Sequence, residues 1–265
     1  MNNTFDLQRF LLLFKKHTVE HSRSYILSIA VMFGASLLLL EFYAFIGHGI
    51  LKDSIQAGIF ITILLLVGSI YTSLSFSSLG NRQQAINTLT LPASHFEKYF
   101  LQWIYTFVIF QLVCVGVFYV ADVIVVALNP RGADYREVIK NSVFNIFDLT
   151  NGAYGAFVFY FLFHGISFWG ALFFNKLHFV KTAFVFFVTA IIIIITSQTL
   201  QTFLIGAHIS RSLMTFGGIS LYDPQHGSKD IDISAGIMLT GVGVLIGVVV
   251  LFWVSAFYRL KEKQV

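Results

Sequence analysis

SSLGNRQQAINTLTLPASHFEK, residues 77–98, is a polar interruption between two long apolar runs. Its second half has a direct physical reading. Pro92 pushes Leu91 out of the helical region, so a helix running from Gln83 to Leu89 must stop there. Ser94 then stands three residues ahead of Glu97, the S-x-x-E spacing of a capping box that opens a new helix. The stretch therefore predicts a short helix, a break and a capped long helix at one membrane face. A rigid step of this kind suits a surface that a second protein pushes against. The same Ser94 and Glu97 are also what the start of any long helix needs, and both readings stand at this point.

The chain around it is an apolar one. Of 265 residues, 57% are hydrophobic and 11% charged, with mean hydropathy +0.79. Average soluble domains carry about 25% charged residues, so a soluble fold is excluded and an all-α integral membrane protein is expected. Thirty Phe and eleven Tyr suit lipid contact and helix packing. The single cysteine, Cys114, lies in an apolar run and excludes an intrachain disulfide. The formal charge of +4 sits at the flanks of the apolar runs, which fits membrane orientation better than nucleic acid. No phosphate-binding loop is present: His226-Gly-Ser-Lys-Asp230 lacks the required glycine–lysine order and context.

Residues 5–21 read as an amphipathic helix, with Leu7, Phe10, Leu11, Phe14 and Thr18 on one side and Arg9, Lys15, Lys16 and Glu20 on the other. A basic helix directly before a span belongs in the headgroup layer, which makes residues 1–24 an interfacial segment ahead of a transmembrane domain over 25–265. A cytosolic extension of the first span is the alternative. The first apolar run lacks a small-residue cleavage site and is expected to stay as an anchor. Six runs near the ~20 residues that a bilayer core requires fall at 25–46, 56–77, 99–128, 152–174, 182–204 and 235–257. The third, counted from Glu97, is roughly 48 Å long at 1.5 Å per residue, so it must tilt or protrude. Outside the spans, 11 Lys and Arg lie on the face that carries both termini and the 77–98 loop, against 6 on the other face, with 4 and 7 acids respectively. The positive-inside rule puts both termini and that loop in the cytoplasm.

The outer loops differ. Residues 129–150 are of mixed charge (Arg131, Asp134, Arg136, Glu137, Lys140) and read as a short exposed helix. Residues 206–234 begin semi-apolar and end polar, which suggests a re-entrant or interfacial hairpin covered by protein. The halves show no inverted symmetry, a point against a secondary transporter.

Together the basic amphipathic start, six spans with both termini inside, a structured loop after the second span and a semi-apolar hairpin before the sixth resemble an ABC transporter permease of the type-2 exporter class. Leu91-Pro92-Ala93-Ser94 followed by Glu97-Lys98 is similar to the LPxS..EK stretch of small bacterial members. The layout covers the whole chain; the motif covers fewer than twenty residues. The resemblance implies that the 77–98 loop forms a coupling helix seated on a separate ATPase. Arg82, Gln83, Gln84, Asn87 and Thr88 would face that ATPase. Pro92, Ser94 and Glu97, with Lys98 beside them, would fix the joint to the third span. It further implies a homo- or heterodimer of permeases in the bacterial cytoplasmic (inner) membrane, ATP and Mg bound by the partner, no cofactor on this chain, and outward transport. An ATPase-independent scaffold or a secondary carrier is the alternative.

The remaining polar residues carry two readings each. Glu41 and Asp122, five or six residues from the outer ends of their spans, could join Gln198 and its neighbours Thr196, Ser197 and Thr199 in a polar layer along a substrate path. Alternatively they snorkel and hydrogen-bond locally, because an ionisable group at midplane costs roughly 2.5–3.5 kcal/mol on insertion scales. His164, amid Phe161, Phe163, Phe168 and Trp169, is a hydrogen-bonded packing residue or a further substrate-path candidate. The histidines show no metal-ligand spacing, so no metal site is expected. The span-four phenylalanines either pack or line a hydrophobic path. Gly243-x-x-x-Gly247 permits close helix approach, within the chain or at a dimer seam. No nucleophile elbow is present at Gly165-Ile-Ser-Phe-Trp169, so this chain is expected not to be an enzyme.

Overall fold

The computed structural model describes residues 5–47, 51–76, 93–129, 143, 153–174, 180–188, 191–192, 195, 219–223, 227–231 and 235–262. They form α1 (Leu7–Ile46), α2 (Asp53–Leu74), α3 (His95–Trp103), a π-helical segment (Ile104–Ile109), α4 (Phe110–Leu128), α5 (Ala153–Phe173), the strands β1 (Ile219–Asp223) and β2 (Gly227–Ile231), and α6 (Ala235–Glu262). α3, the π segment and α4 make one continuous rod. Five helical stretches are long and apolar enough to cross a membrane: Leu7–Ile46, Asp53–Leu74, His95–Leu128, Ala156–Phe173 and Gly243–Glu262. The chain is thus a helical multi-pass membrane protein.

The expected boundary near residue 24 does not exist. α1 runs unbroken for 40 residues, roughly 60 Å at 1.5 Å per residue, about twice the ~30 Å hydrocarbon thickness. The amphipathic segment 1–24 is, from Leu7, the first half of the first span's own helix rather than a separate surface helix. Its polar face is also not wholly solvent: Arg9 turns toward α3 and pairs with Glu97. The aromatic residues Phe10 and Phe14 follow it onto Phe100 and Tyr105.

α1 and the α3–α4 rod run parallel. Arg9–Glu97, Thr18–Tyr105 and Glu41–Asn129 are hydrogen-bonded pairs separated by 88, 87 and 88 residues. The two therefore stay in one register from the near end of the bundle, where both helices start, to the far end. Further along α1, Met32, Ser36, Leu40 and Ala44 repeat every four residues and are buried, the stripe an α-helix turns toward one neighbour. Met32, Leu40 and Ala44 join a core made with Ala57, Phe60 and Leu64 of α2 and Cys114, Phe118, Ala121 and Val125 of α4.

α2, α5 and α6 run the opposite way. Phe60 meets Phe118, and Tyr71 meets Phe110, so α2 is antiparallel to the rod. Phe110 stacks on Tyr160 and Tyr99 packs on Phe168, so α5 is as well. α6 follows α5: a Cβ on Gly165 would sit 2.9 Å from Val249, Trp169 donates to Ser255, and Arg259 lies over Phe173. Because α5 and α6 are parallel, the chain between them must return from the near end to the far end. Residues 180–188 are helical and start that return antiparallel to α5, with Thr182 against Gly170 and Phe186 against Phe163. Most of the expected span at 182–204 lies outside the described residues. Within 206–234, β1 and β2 pair antiparallel, from Ile219 opposite Ile231 to Asp223 opposite Gly227, whereas most of the semi-apolar stretch expected to be re-entrant or interfacial lies outside the described residues. The helix expected in 129–150 lies outside the described residues, which include only Asn129 and Val143 of that loop.

Close approach is set by different glycines from the expected pair. A Cβ on Gly68 would overlap the Tyr160 ring and come within 2.9 Å of Phe110, and one on Gly170 would overlap Thr182. A Cβ on Gly243 or Gly247 would meet nothing within 4 Å, so neither glycine is required for a close helix approach among the described residues. Overpacking a tight contact costs typically 1–3 kcal/mol. We therefore expect Gly68→Leu to destabilise the protein by about that much, and Gly243→Ala and Gly247→Ala to change stability by less than about 0.5 kcal/mol, as read by thermal unfolding in detergent.

Candidate functional site

The start of α3 is where the N-terminal and C-terminal parts of the chain meet. Ser94 has extended backbone and caps the helix: its side chain accepts from Glu97 N–H at 3.2 Å, and Glu97 in turn accepts from Ser94 N–H at 2.9 Å. The capping box legible in the sequence is present in full. Glu97 does more than cap its own helix. Its side chain is completely buried and also accepts from Asp6 N–H at 2.9 Å and from the Arg9 guanidinium, side-on, at 2.8 Å through Nε and 2.6 Å through Nη2. Asp6 is the N-cap of α1 and accepts from Gln8 and Arg9 N–H. One carboxylate therefore closes the first turns of two parallel helices, whose aligned dipoles both present a positive end to it.

Arg9 matters for the same reason. A cation in the first turn opposes the helix dipole, and a buried carboxylate without a counter-charge is costly. The side-on pair answers both, with the planar fork geometry that makes arginine–carboxylate bonds strong and directional. Lys98, next in the chain, is buried in the same joint.

The other side of α3 is held by α5 and α6. Tyr99 donates to the Trp253 carbonyl at 2.8 Å and packs edge-on against Phe168 and Phe257. Phe76 at the end of α2 joins Tyr99, Phe168, Ala171, Leu172, Ala256 and Leu260 in one buried cluster. The joint thus gathers the near ends of α1, α2, α5 and α6 around the first two turns of α3.

Two turns further on, the rod changes winding. In the π segment the Phe110 N–H reaches back five residues to the Tyr105 carbonyl. When α-helical bonding resumes, one carbonyl is passed over, and that of Thr106 accepts the Tyr160 hydroxyl at 2.6 Å. The Thr106 hydroxyl donates to the Gln102 carbonyl at 2.8 Å and meets His164 Nε2 at 2.9 Å. His164 Nδ1 accepts the Trp253 indole N–H at 3.2 Å. An indole nitrogen can only donate, so Nδ1 carries the lone pair and the proton sits on Nε2. With Thr106 Oγ1 already donating to Gln102, this tautomer completes the chain of donors and acceptors. His164 is fully buried with both nitrogens engaged. Phe161 and Phe168 pack around it, on Trp253 and on the imidazole itself.

The proposed polar layer separates into unlike parts. Glu41 is exposed and accepts from Asn129 Nδ2 at 3.1 Å, tying α1 to the end of α4. Asp122 is fully buried in the bundle, so snorkelling to the surface is excluded for it. Gln198 and its neighbours Thr196, Ser197 and Thr199 lie outside the described residues, as do Arg82, Gln83, Gln84, Asn87, Thr88 and Pro92. Of the expected coupling residues, the structure brings Ser94, Glu97 and Lys98 together. It adds Asp6, Arg9, Tyr99 and Trp253, none of which local sequence could attach to the joint, because their partners lie 88 to 154 positions away in the chain.

The joint and the histidine network make separable predictions. Ser94→Ala is expected to cost about 1 kcal/mol, the usual loss of an N-cap. A double-mutant cycle on Arg9→Ala and Glu97→Ala should give a coupling clearly larger than the same cycle on the exposed pair Lys16–Glu20. Replacing His164 by Leu orphans the Trp253 N–H and is expected to cost about 1–3 kcal/mol. Nitrogen-15 spectra of the wild-type protein should show a neutral imidazole protonated at Nε2; a proton on Nδ1 would contradict the network. In comparison with known proteins, no family model, no curated protein and no solved structure matches this chain.

Proposed function

We propose that this chain is the membrane-spanning permease subunit of an ATP-driven ABC exporter, with hydrolysis supplied by a separate ATPase seated on the 77–98 loop. In this reading six spans cross a bacterial cytoplasmic membrane, both termini and the loop face the cytoplasm, and two permease copies assemble with two ATPase subunits. Charge bias supports the orientation, and the parallel course of α5 and α6, which requires a return crossing between them, supports the sixth span.

The observation that carries the proposal is the joint at Glu97. A motor outside the membrane does work on a span through a stiff contact. The loop ends at a capped turn whose carboxylate is bonded to α1 and whose next turn is bonded to α6. From there the rod continues for 34 residues, roughly 51 Å, and is tied to α1 again at the far end through Glu41 and Asn129. A pair of helices fastened at both ends moves as a unit. A displacement applied at Ser94 is thereby delivered to the opposite membrane face and, through Tyr99 and His164, to α5 and α6.

The test is co-expression with candidate ABC ATPases, followed by purification and measurement of nucleotide hydrolysis. The expected result is a complex whose turnover depends on the permease and falls in Arg82→Ala and Glu97→Gln while membrane insertion is retained. A chain that binds no such ATPase, or whose partner hydrolyses nucleotide indifferently to these substitutions, is instead an ATPase-independent scaffold or carrier.

A further inference from the structure

We propose that the cavity between α2, α5 and the helical stretch 180–188 holds one acyl chain of a membrane lipid. The cavity has a volume of about 390 Å³, within the roughly 300–1,000 Å³ of small-ligand sites. Gly170 lets Thr182 approach α5 closely near one end, and toward the other end α5 and the 180–188 stretch meet through the larger Phe163 and Phe186 rings, centroids 4.7 Å apart.

Its shape follows α2. Thr62, Leu65, Leu66, Ser69 and Ser73 line it at positions i, i+3, i+4, i+7 and i+11, one face of a helix extending roughly 16 Å. A long narrow occupant fits such a stripe better than a compact one. Its chemistry is hydrocarbon: no charged residue lines it, and nearly all of its accessible wall is apolar. Thr62 and Ser69 spend their hydroxyl protons on the Gly58 and Leu65 carbonyls, the i−4 back-bonding that hides a hydroxyl in an apolar setting. Ser73 differs, because its buried hydroxyl has no hydrogen-bond partner among the described residues. Interiors avoid that deficit, and the ester carbonyl at the head of an acyl chain is an acceptor that meets it. The source of the occupant is indicated by the rim: Leu66 and Phe187, both lining residues, are 52% and 62% exposed on the apolar outer surface of the helices. A mouth of this composition opens on the hydrocarbon of the bilayer.

The proposal is independent of any ATPase and is tested without one. The full chain is reconstituted into phosphatidylcholine vesicles containing a phosphatidylcholine with a diazirine midway along one acyl chain, then irradiated and mapped by peptide mass spectrometry. Labelling is expected to be severalfold higher on residues 62–73 and 163–167 than on the exposed apolar face of α1 around Ile26, Val31 and Leu38, which reports ordinary boundary lipid. Ala183→Trp and Ser69→Leu, which fill the cavity from opposite walls, should each reduce the labelling to the boundary level. Equal labelling of the cavity and of α1 in the wild-type protein overturns the proposal, as does enrichment that persists in either filled variant. The wild-type comparison decides even if one variant does not fold.

Discussion

Two helix N-termini lying side by side bring together two positive dipole ends and several N–H groups with no intrahelical partner, and Glu97 meets both. Its carboxylate accepts from the N-cap amides of α1 and α3, at Asp6 and Ser94, and from the Arg9 guanidinium. Without that buried negative charge the two starts would repel and their amides would be left without acceptors. With it, α1 and the α3–α4 rod are held in one register, kept by Thr18–Tyr105 and closed by Glu41–Asn129. Much of the remaining architecture follows from this parallel pair. α2 and α5 run antiparallel to it, and α6 closes against α5 and the first turns of α3.

The rod is also bonded to α5 and, through it, to α6. Its π segment passes over one backbone carbonyl, and Tyr160 of α5 takes it up. The hydroxyl of the same Thr106 meets His164 Nε2, and the Trp253 indole of α6, which can only donate to Nδ1, fixes the His164 tautomer. Buried polar groups in a membrane are tolerated when each finds a partner, and here the partners are on three different helices. π-bulges recur at functional sites because they free backbone groups for tertiary bonds. In this chain the freed group couples α5 to the rod about two and a half turns beyond Glu97.

Much of the helical layout was legible in the sequence because a bilayer imposes one-dimensional rules. Spans expected at 56–77, 99–128, 152–174 and 235–257 correspond to α2, the rod, α5 and α6 within a few residues. The Ser94–Glu97 box was legible because capping is local, involving groups three residues apart. The break expected between an interfacial helix and the first span is absent, for a reason outside its own segment. Amphipathicity marks a water–lipid boundary only where water and lipid are the neighbours, whereas here Phe10, Phe14 and Arg9 face another protein helix. The same limit applies to the glycines. Gly243 and Gly247 have the spacing of a contact but leave open space where a Cβ would stand, while Gly68 and Gly170, with no motif around them, sit under Tyr160 and Thr182.

By itself the sequence determined that this is a multi-pass helical membrane protein, approximately where its spans fall, and that a capped helix begins at Ser94. Hydrophobicity, length and capping act within one segment and are written there. Tertiary structure alone decided that Glu97 serves two helices, that Asp122 is interior while Glu41 is exposed, and that His164 is locked between Thr106 and Trp253. Each of these depends on which groups meet across roughly 60 to 90 positions of chain. That is set by how the faces of the helices pack against one another, and no local pattern of residues encodes it.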